Sequence, residues 1–469
     1  MLEAESLAAL FEDKALPGAA KRIPFNPYKE LRYLVVDDQA ASRQSLKLCI
    51  QSMGGFAVDQ ADTINAAYHR IRGQMPDVII CDYILGSGRT GQQMLEDLRS
   101  TDGLPDTVAF LMVTAERGYE QVISAVELAP DDYIIKPFSP EILRARMDRV
   151  IRKKVFFRHF FELKRHGKLD AALVELDALN SAEDGKPYRF DILRARSETL
   201  LKAGRWEDAL DSYVSIVEIH PFPWALAGQA RALQQLTRHE EASDVIDGVL
   251  AVAPGYFSAY DLKAEICCDL GNFDEAQHLL QELAKRTPRN WQRKRTLATV
   301  AKLNGDLETA QRLIEEVMAH DRIAGVPITD RIELLRTALA GGNQELAQKT
   351  LSELRSEERS AVAPDEKLTI ECLEAVLEGK DAGRKRFDRI CADFMRNEMS
   401  VDSALDAIRA ALLFSDLELA DRLAEKLLGG DEAPRAFRAV REMFRSCDME
   451  DHFRQIQRAV AAQRLQRKT

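Results

Sequence analysis

Asp77-Val78-Ile79-Ile80-Cys81-Asp82 is an apolar strand that closes on an aspartate, and its reading decides the fold. Working outward, three further apolar stretches end the same way. Tyr33-Leu34-Val35-Val36 closes on Asp37 and Asp38, the stretch from Val108 to Val113 closes on Thr114, and Tyr133-Ile134-Ile135 closes on Lys136. In an open parallel α/β sheet the carboxyl ends of the strands form the edge where ligands bind. Residues scattered over a hundred positions therefore converge on one pocket.

Those residue types point to phosphoryl chemistry. Three crowded carboxylates resist ionisation unless a divalent cation holds them, and hard, oxygen-seeking Mg2+ suits the set Asp37, Asp38 and Asp82. Asp82 is then the carboxylate nucleophile, Lys136 a fixed positive charge for phosphoryl oxygens, and Thr114 a hydroxyl donor.

The segments Val-Val-Asp37-Asp38, Ile-Ile-Cys-Asp82-Tyr, Met-Val-Thr114-Ala-Glu and Asp-Asp-Tyr133-Ile-Ile-Lys136-Pro137-Phe138 resemble the receiver domains of two-component response regulators, over roughly residues 31 to 152. The resemblance implies a flavodoxin-like, doubly wound α/β fold with a five-stranded parallel sheet. It also implies phosphorylation on Asp82, Mg2+ held by Asp37, Asp38, Asp82 and the backbone carbonyl of Ile84, Thr114 and Tyr133 as the reporting pair, and a cis peptide before Pro137. Taken singly, an Asp-Asp pair after a strand is usually a cap or turn, and Lys-Pro-Phe a loop into a helix with Ser139 as N-cap and Pro140 at the first helical position. Five such features in strand order carry the functional reading. Two departures stand out: Tyr83 to Gly91 lacks the family's frequent proline and reaches its helix-leading glycine about one residue late, and apolar Ile84 sits two positions after the acceptor.

The chain has 469 residues and a formal net charge of −11, room for two or three domains. No apolar run approaches the roughly 20 residues of a membrane span, and the start Met1-Leu2-Glu3-Ala4-Glu5 is unlike a signal peptide. A cytoplasmic address is expected. Residues 1–30 read as a short amphipathic helix and a Pro-containing linker. Seven scattered cysteines lack zinc or disulfide spacing and read as free thiols.

Beyond about Phe156 the pattern becomes helical and repeating. Ala209, Ala242, Ala276 and Ala310 are spaced by 33, 34 and 34 residues, and Gly204, Thr237, Gly271 and Gly305 keep the same step. With Trp206 and Phe273 after the turns and Pro221, Pro254 and Pro288 closing units, this resembles the tetratricopeptide repeat. The resemblance implies an all-α solenoid of paired helices that recognises a protein or peptide along its concave side. The repeat surface offers few specific candidates: Gln229 and Lys263 fall one step apart, but the next position in register is Leu297. Weaker units are expected around Gly167, Gly342 and Ser415. The domains are thus an extension over 1–30, a receiver over 31–154, repeats over 155–430 and capping helices over 431–469.

Two other outputs are disfavoured. No basic recognition helix accompanies the acidic overall charge, so DNA binding is not expected. Gly429-Gly430-Asp431-Glu432 comes close to a cyclic-dinucleotide synthase signature, but it follows a helix where that signature belongs on a hairpin, and Gly429 reads as a C-cap. The chain therefore reads as a response regulator, with no enzymatic output beyond its own phosphoryl transfer and dephosphorylation. It takes phosphate from a histidine kinase or phosphotransfer protein and acts through a repeat-bound partner. The alternative is a phosphate sink or relay that the repeats merely localise. Phe156, Phe157, Phe160 and Phe161 are either a mechanical relay between the parts or an ordinary helix core. Oligomeric state is not legible.

Overall fold

The computed structural model describes residues 27–86, 89–100, 103–114, 130–288, 290–321, 326–356, 362–396, 399–429 and 433–468. The helix expected near the amino terminus, Ser87-Gly88 and Gly430-Asp431-Glu432 lie outside them. Contacts divide the chain into two units, 1–262 and 263–469.

The first unit opens with a sheet of β1 (Arg32–Val36), β2 (Ala57–Ala61), β3 (Val78–Asp82), β6 (Ala109–Thr114) and β7 (Asp132–Ile135). A two-residue pair, β4 (Ile84–Leu85) and β5 (Arg89–Thr90), forms a separate antiparallel ladder. The five strands run in the order β2-β1-β3-β6-β7 and every pairing is parallel. The sheet is the doubly wound one expected. β3 and β6 are buried along their apolar length because helices cover both faces. Ile64–Gly73 and Gly91–Ser100 seal one core with Leu34, Ile79 and Phe110, and Ala40–Ser52 and Pro140–Phe156 seal the other with Val35, Ile80 and Leu111. Tyr28, just upstream of β1, is only 1% exposed. Its hydroxyl donates to Asp148 at 2.6 Å, which ties this segment to the last helix of the sheet domain.

Ser139 caps Pro140–Phe156 by accepting the Ile142 N–H, with Pro140 in the first turn. The helix does not continue into the repeats. It stops at Phe157, whose φ −90° and ψ 6° turn the chain before Arg158–Arg165 begins. Phe157 and Phe160 are buried with Ala172, Leu176 and Ile192 of the first helices beyond the sheet domain. Phe156 stacks on Tyr188 at 4.6 Å. The two parts of this unit are therefore joined by close packing with one abrupt bend.

The helices that follow form antiparallel pairs. In the first unit they include Leu169–Ser181, Arg189–Lys202, Trp206–Ile219, Pro223–Gln235 and His239–Val252; in the second, Phe273–Arg286, Trp291–Leu303, Leu307–Asp321, Ile328–Ala340, Gln344–Ser356, Val401–Leu413, Leu417–Gly429, Ala433–Ser446 and Glu450–Lys468. Pro364–Arg396 is two helices meeting at Gly379. Ala209, Ala242, Ala276 and Ala310 are all fully buried, as close backbone approach requires. Gly167, Gly204, Thr237, Gly271, Gly305, Gly342, Ser415 and Asp448 all have positive φ. After each, the next N–H returns to a carbonyl five residues back, as in Arg205 to Leu200, Asp306 to Ala301 and Met449 to Phe444. This left-handed helix termination recurs through both units.

Candidate functional site

Parallel pairing places the ends of β1, β3, β6 and β7 side by side: Val36 pairs with Cys81, Asp82 with Val113, and Thr114 with Ile135. The residues that follow them meet at that edge. Asp37, Asp38 and Asp82 each bring a carboxylate oxygen within 4.8 Å of the others. Asp37 is buried, Asp82 partly buried and Asp38 exposed.

Lys136 bridges two of the three. Its Nζ lies 2.8 Å from Asp37 Oδ2 and 2.8 Å from Asp82 Oδ2. Its backbone N–H also donates to the Thr114 carbonyl at 2.6 Å, and the Lys136–Pro137 peptide is cis. Burial pushes the Asp82 carboxyl above its ordinary range; Lys136 opposes this, and neighbouring Asp37 adds to it. Burial works against the Lys136 ammonium, yet its bonds to Asp37 and Asp82 outweigh that and raise the group overall. The site is short of positive charge, and one ammonium is shared between two carboxylates.

Two of the remaining oxygens are held by the backbone. Asp37 Oδ1 accepts the Gln39 N–H at 2.8 Å, and Asp38 Oδ2 accepts the Gly86 N–H at 3.2 Å. Asp82 is fixed from behind. A Cβ on Gly91 would sit 2.2 Å from the Asp82 carbonyl oxygen and 2.7 Å from Cys81 Sγ, so only glycine fits where Gly91–Ser100 begins. Gly91 N–H donates to the Tyr83 carbonyl at 2.8 Å, and Tyr83 N–H to the Val113 carbonyl at 2.8 Å.

Among the other sequence candidates, Thr114 is buried at the end of β6 and Tyr133 packs half-buried against the apolar core on β7. Ile84 lies in the short ladder opposite Thr90 with its side chain exposed. On the repeats, Lys263 and Leu297 are both buried, so neither offers a partner much surface. Sequence reasoning missed Arg43, whose Nη1 donates to the carbonyls of both Asp37 and Asp38, at 2.7 and 3.1 Å. An arginine one turn into the helix after an acidic pair was the available signal. It also missed Gly86 and the backbone role of Gly91.

Of the seven cysteines, Cys81, Cys267 and Cys372 are buried and Cys447 is exposed, all as free thiols. Among the described residues no helix is long and apolar enough to cross a membrane.

Residues 33–148 match the family model of the response regulator receiver domain. Over 120 residues the chain is 33% identical to the phosphate regulon transcriptional regulatory protein PhoB of Pseudomonas aeruginosa, a match covering 26% of this chain and 51% of that protein. The chain thus spans about half the length of that curated relative. A putative response regulator from Chloroflexus aurantiacus aligns at 29% identity over 26% of this chain and 98% of its own, with a TM-score of 0.24. A tetratricopeptide repeat protein from Parabacteroides merdae aligns over 58% of this chain and 96% of its own, at 15% identity and a TM-score of 0.41. The parallel sheet, its acidic edge and the family match coincide in one segment: residues 33–148 are a response regulator receiver domain.

Proposed function

We propose that the protein is a phosphorylation-dependent response regulator of a two-component system that accepts a phosphoryl group on Asp82 and signals through protein contacts of its helical repeats. The observation that carries this reading is the Lys136 ammonium, 2.8 Å from both Asp37 and Asp82 at the carboxyl edge of the sheet. A histidine kinase or phosphotransfer protein is the donor. One Asp82 oxygen attacks the phosphorus of its phosphohistidine; the new P–O bond forms as the P–N bond breaks, and the electron pair returns to the imidazole nitrogen. Lys136, already beside that oxygen, turns to the equatorial phosphoryl oxygens, and the Thr114 hydroxyl donates to another.

Three carboxylates of mixed burial, open to solvent at Asp38, suit a small hard cation that keeps waters. Asp37, Asp38 and Asp82 would hold Mg2+, with the Ile84 carbonyl as a further ligand; when bound it neutralises the carboxylates and the transferring phosphoryl oxygens. The receiver catalyses only its own phosphoryl transfer and dephosphorylation, and the protein works in the cytoplasm. Thr114 and Tyr133 report the phosphoryl group to the repeats, which bind a protein or peptide.

The test is acyl-phosphate mapping after incubation with Mg2+ and a small phosphodonor such as acetyl phosphate. Label is expected on Asp82 and is lost in Asp82→Ala. Label that persists in that variant removes Asp82 as the acceptor.

A further inference from the structure

We infer that Arg43 is a positioning residue that presets the two acidic residues of the loop for a divalent cation; this rests on the reading of Asp37, Asp38 and Asp82 as a cation site. A single terminal nitrogen of Arg43 forks to two successive carbonyl oxygens, Asp37 at 2.7 Å and Asp38 at 3.1 Å. Arg43 sits in the first turns of Ala40–Ser52, whose N-cap residue Gln39 makes no side-chain capping bond. The guanidinium therefore links this helix start to the acidic loop.

The two acidic residues differ in how they are otherwise held. Asp37 has its amide on the Ala61 carbonyl, one carboxylate oxygen on the Gln39 N–H and the other on Lys136. Exposed Asp38 has its carboxylate on the Gly86 N–H at 3.2 Å and its carbonyl on Arg43. Turning the Asp38 residue between its two flanking peptides would swing that carboxylate away from the other two, and Arg43 opposes that turn by holding the carbonyls of both peptides. Groups behind metal ligands commonly set affinity in this way.

Position and charge make opposite predictions. As a charge, Arg43 repels a divalent cation, so removing it tightens binding. As a positioning group it holds the ligands in place, so removing it loosens binding. The sign of one measurement separates them.

The experiment is a calorimetric Mg2+ titration of the full-length protein without phosphodonor, with thermal unfolding of each variant in parallel. Arg43→Ala is expected to weaken Mg2+ binding by roughly ten-fold, with Arg43→Lys restoring part of the loss through its single donor. Adding Arg43→Ala to Asp38→Ala is expected to change the residual affinity less than roughly two-fold, because Arg43 acts chiefly through Asp38. Equal or tighter binding in Arg43→Ala overturns the proposal, as does a full additional loss in the Asp38→Ala background. If Arg43→Ala lacks a cooperative unfolding transition, Arg43→Gln supplies the same comparison. A wild-type protein that takes up no Mg2+ overturns the cation-site reading itself, a result distinct from wild-type binding that Arg43 leaves unchanged.

Discussion

Asp82 is positioned as much from behind as from the front. Lys136 holds its carboxylate, while the absent side chain of Gly91 lets the helix start press against its carbonyl. Gly91→Ala forces atoms apart by more than a rotamer change can absorb, and a loss of about 2 kcal/mol is expected in chemical unfolding, with slower phosphorylation of Asp82 in the folded fraction. Unchanged stability would show that the helix start yields easily. The front of the site was legible in sequence because each of its residues ends an apolar strand. The back was not: Gly91 is one of several nearby glycines, and Arg43 works through backbone carbonyls, so its place one turn after the acidic pair was the one trace it left. Lys263 misled because a polar residue at a repeat step reads as surface, whereas here it is buried.

At the scale of the element, the left-handed turns decide where one helix stops and the next begins. Glycine marked most of them in sequence, but Thr237, Ser415 and Asp448 hold the same positive φ with a β-carbon. Asp448 stayed hidden because glycine was the signal sought there, and Ser415 gave only a weak one. Left-handed backbone costs a residue with a β-carbon roughly 1–2 kcal/mol. Thr237→Gly is therefore expected to raise stability by about 1 kcal/mol and Gly305→Ala to lower it by a similar amount, since open space surrounds Gly305 and only the backbone resists. Denaturant unfolding checks both signs; two changes of the same sign would refute the conformational argument. In the second unit, Glu333 pairs with Lys302 at 2.6 Å and with Arg336, which in turn holds Asp406 at 2.6 Å. Burial raises the Glu333 carboxyl, but the two cations outweigh it and leave the group below its ordinary value. Its stabilisation is thus present above the usual glutamate range and fades as pH falls through it. The stability gap between wild type and Glu333→Gln should narrow between pH 7 and pH 4; a gap that widens on acidification contradicts the pairing.

For the molecule, the question is how the receiver addresses the helices behind it. Within the first unit the join is aromatic and ionic. Phe157 lies 6.2 Å from Phe160 and 6.1 Å from Tyr188; Lys153 pairs with Asp191 at 2.5 Å, and Lys164 with Asp106 at 2.9 Å just ahead of β6. Phe157→Ala should cost about 3 kcal/mol locally. It should leave Asp82 phosphorylation intact while shrinking the difference in partner affinity between the two phosphorylation states. Calorimetry on both states measures that difference, and an unchanged value in the folded variant assigns Phe157 to core packing alone. The sequence announced the aromatic cluster but not the bend at Phe157, because no glycine or proline marks it.

Lys136 is tied at both ends, its ammonium to two strands' carboxylates and its amide to a third strand's carbonyl, and three residues later Ser139 caps a helix of 17 residues. At 1.5 Å per residue that helix is a stiff arm about 25 Å long. A tilt of about 5° at its capped end moves the far end by roughly 2 Å, enough to lift an aromatic ring out of its socket. The far end is Phe156, against Tyr188. A displacement of Lys136 that tilted this arm would therefore be magnified where Phe156 meets Tyr188.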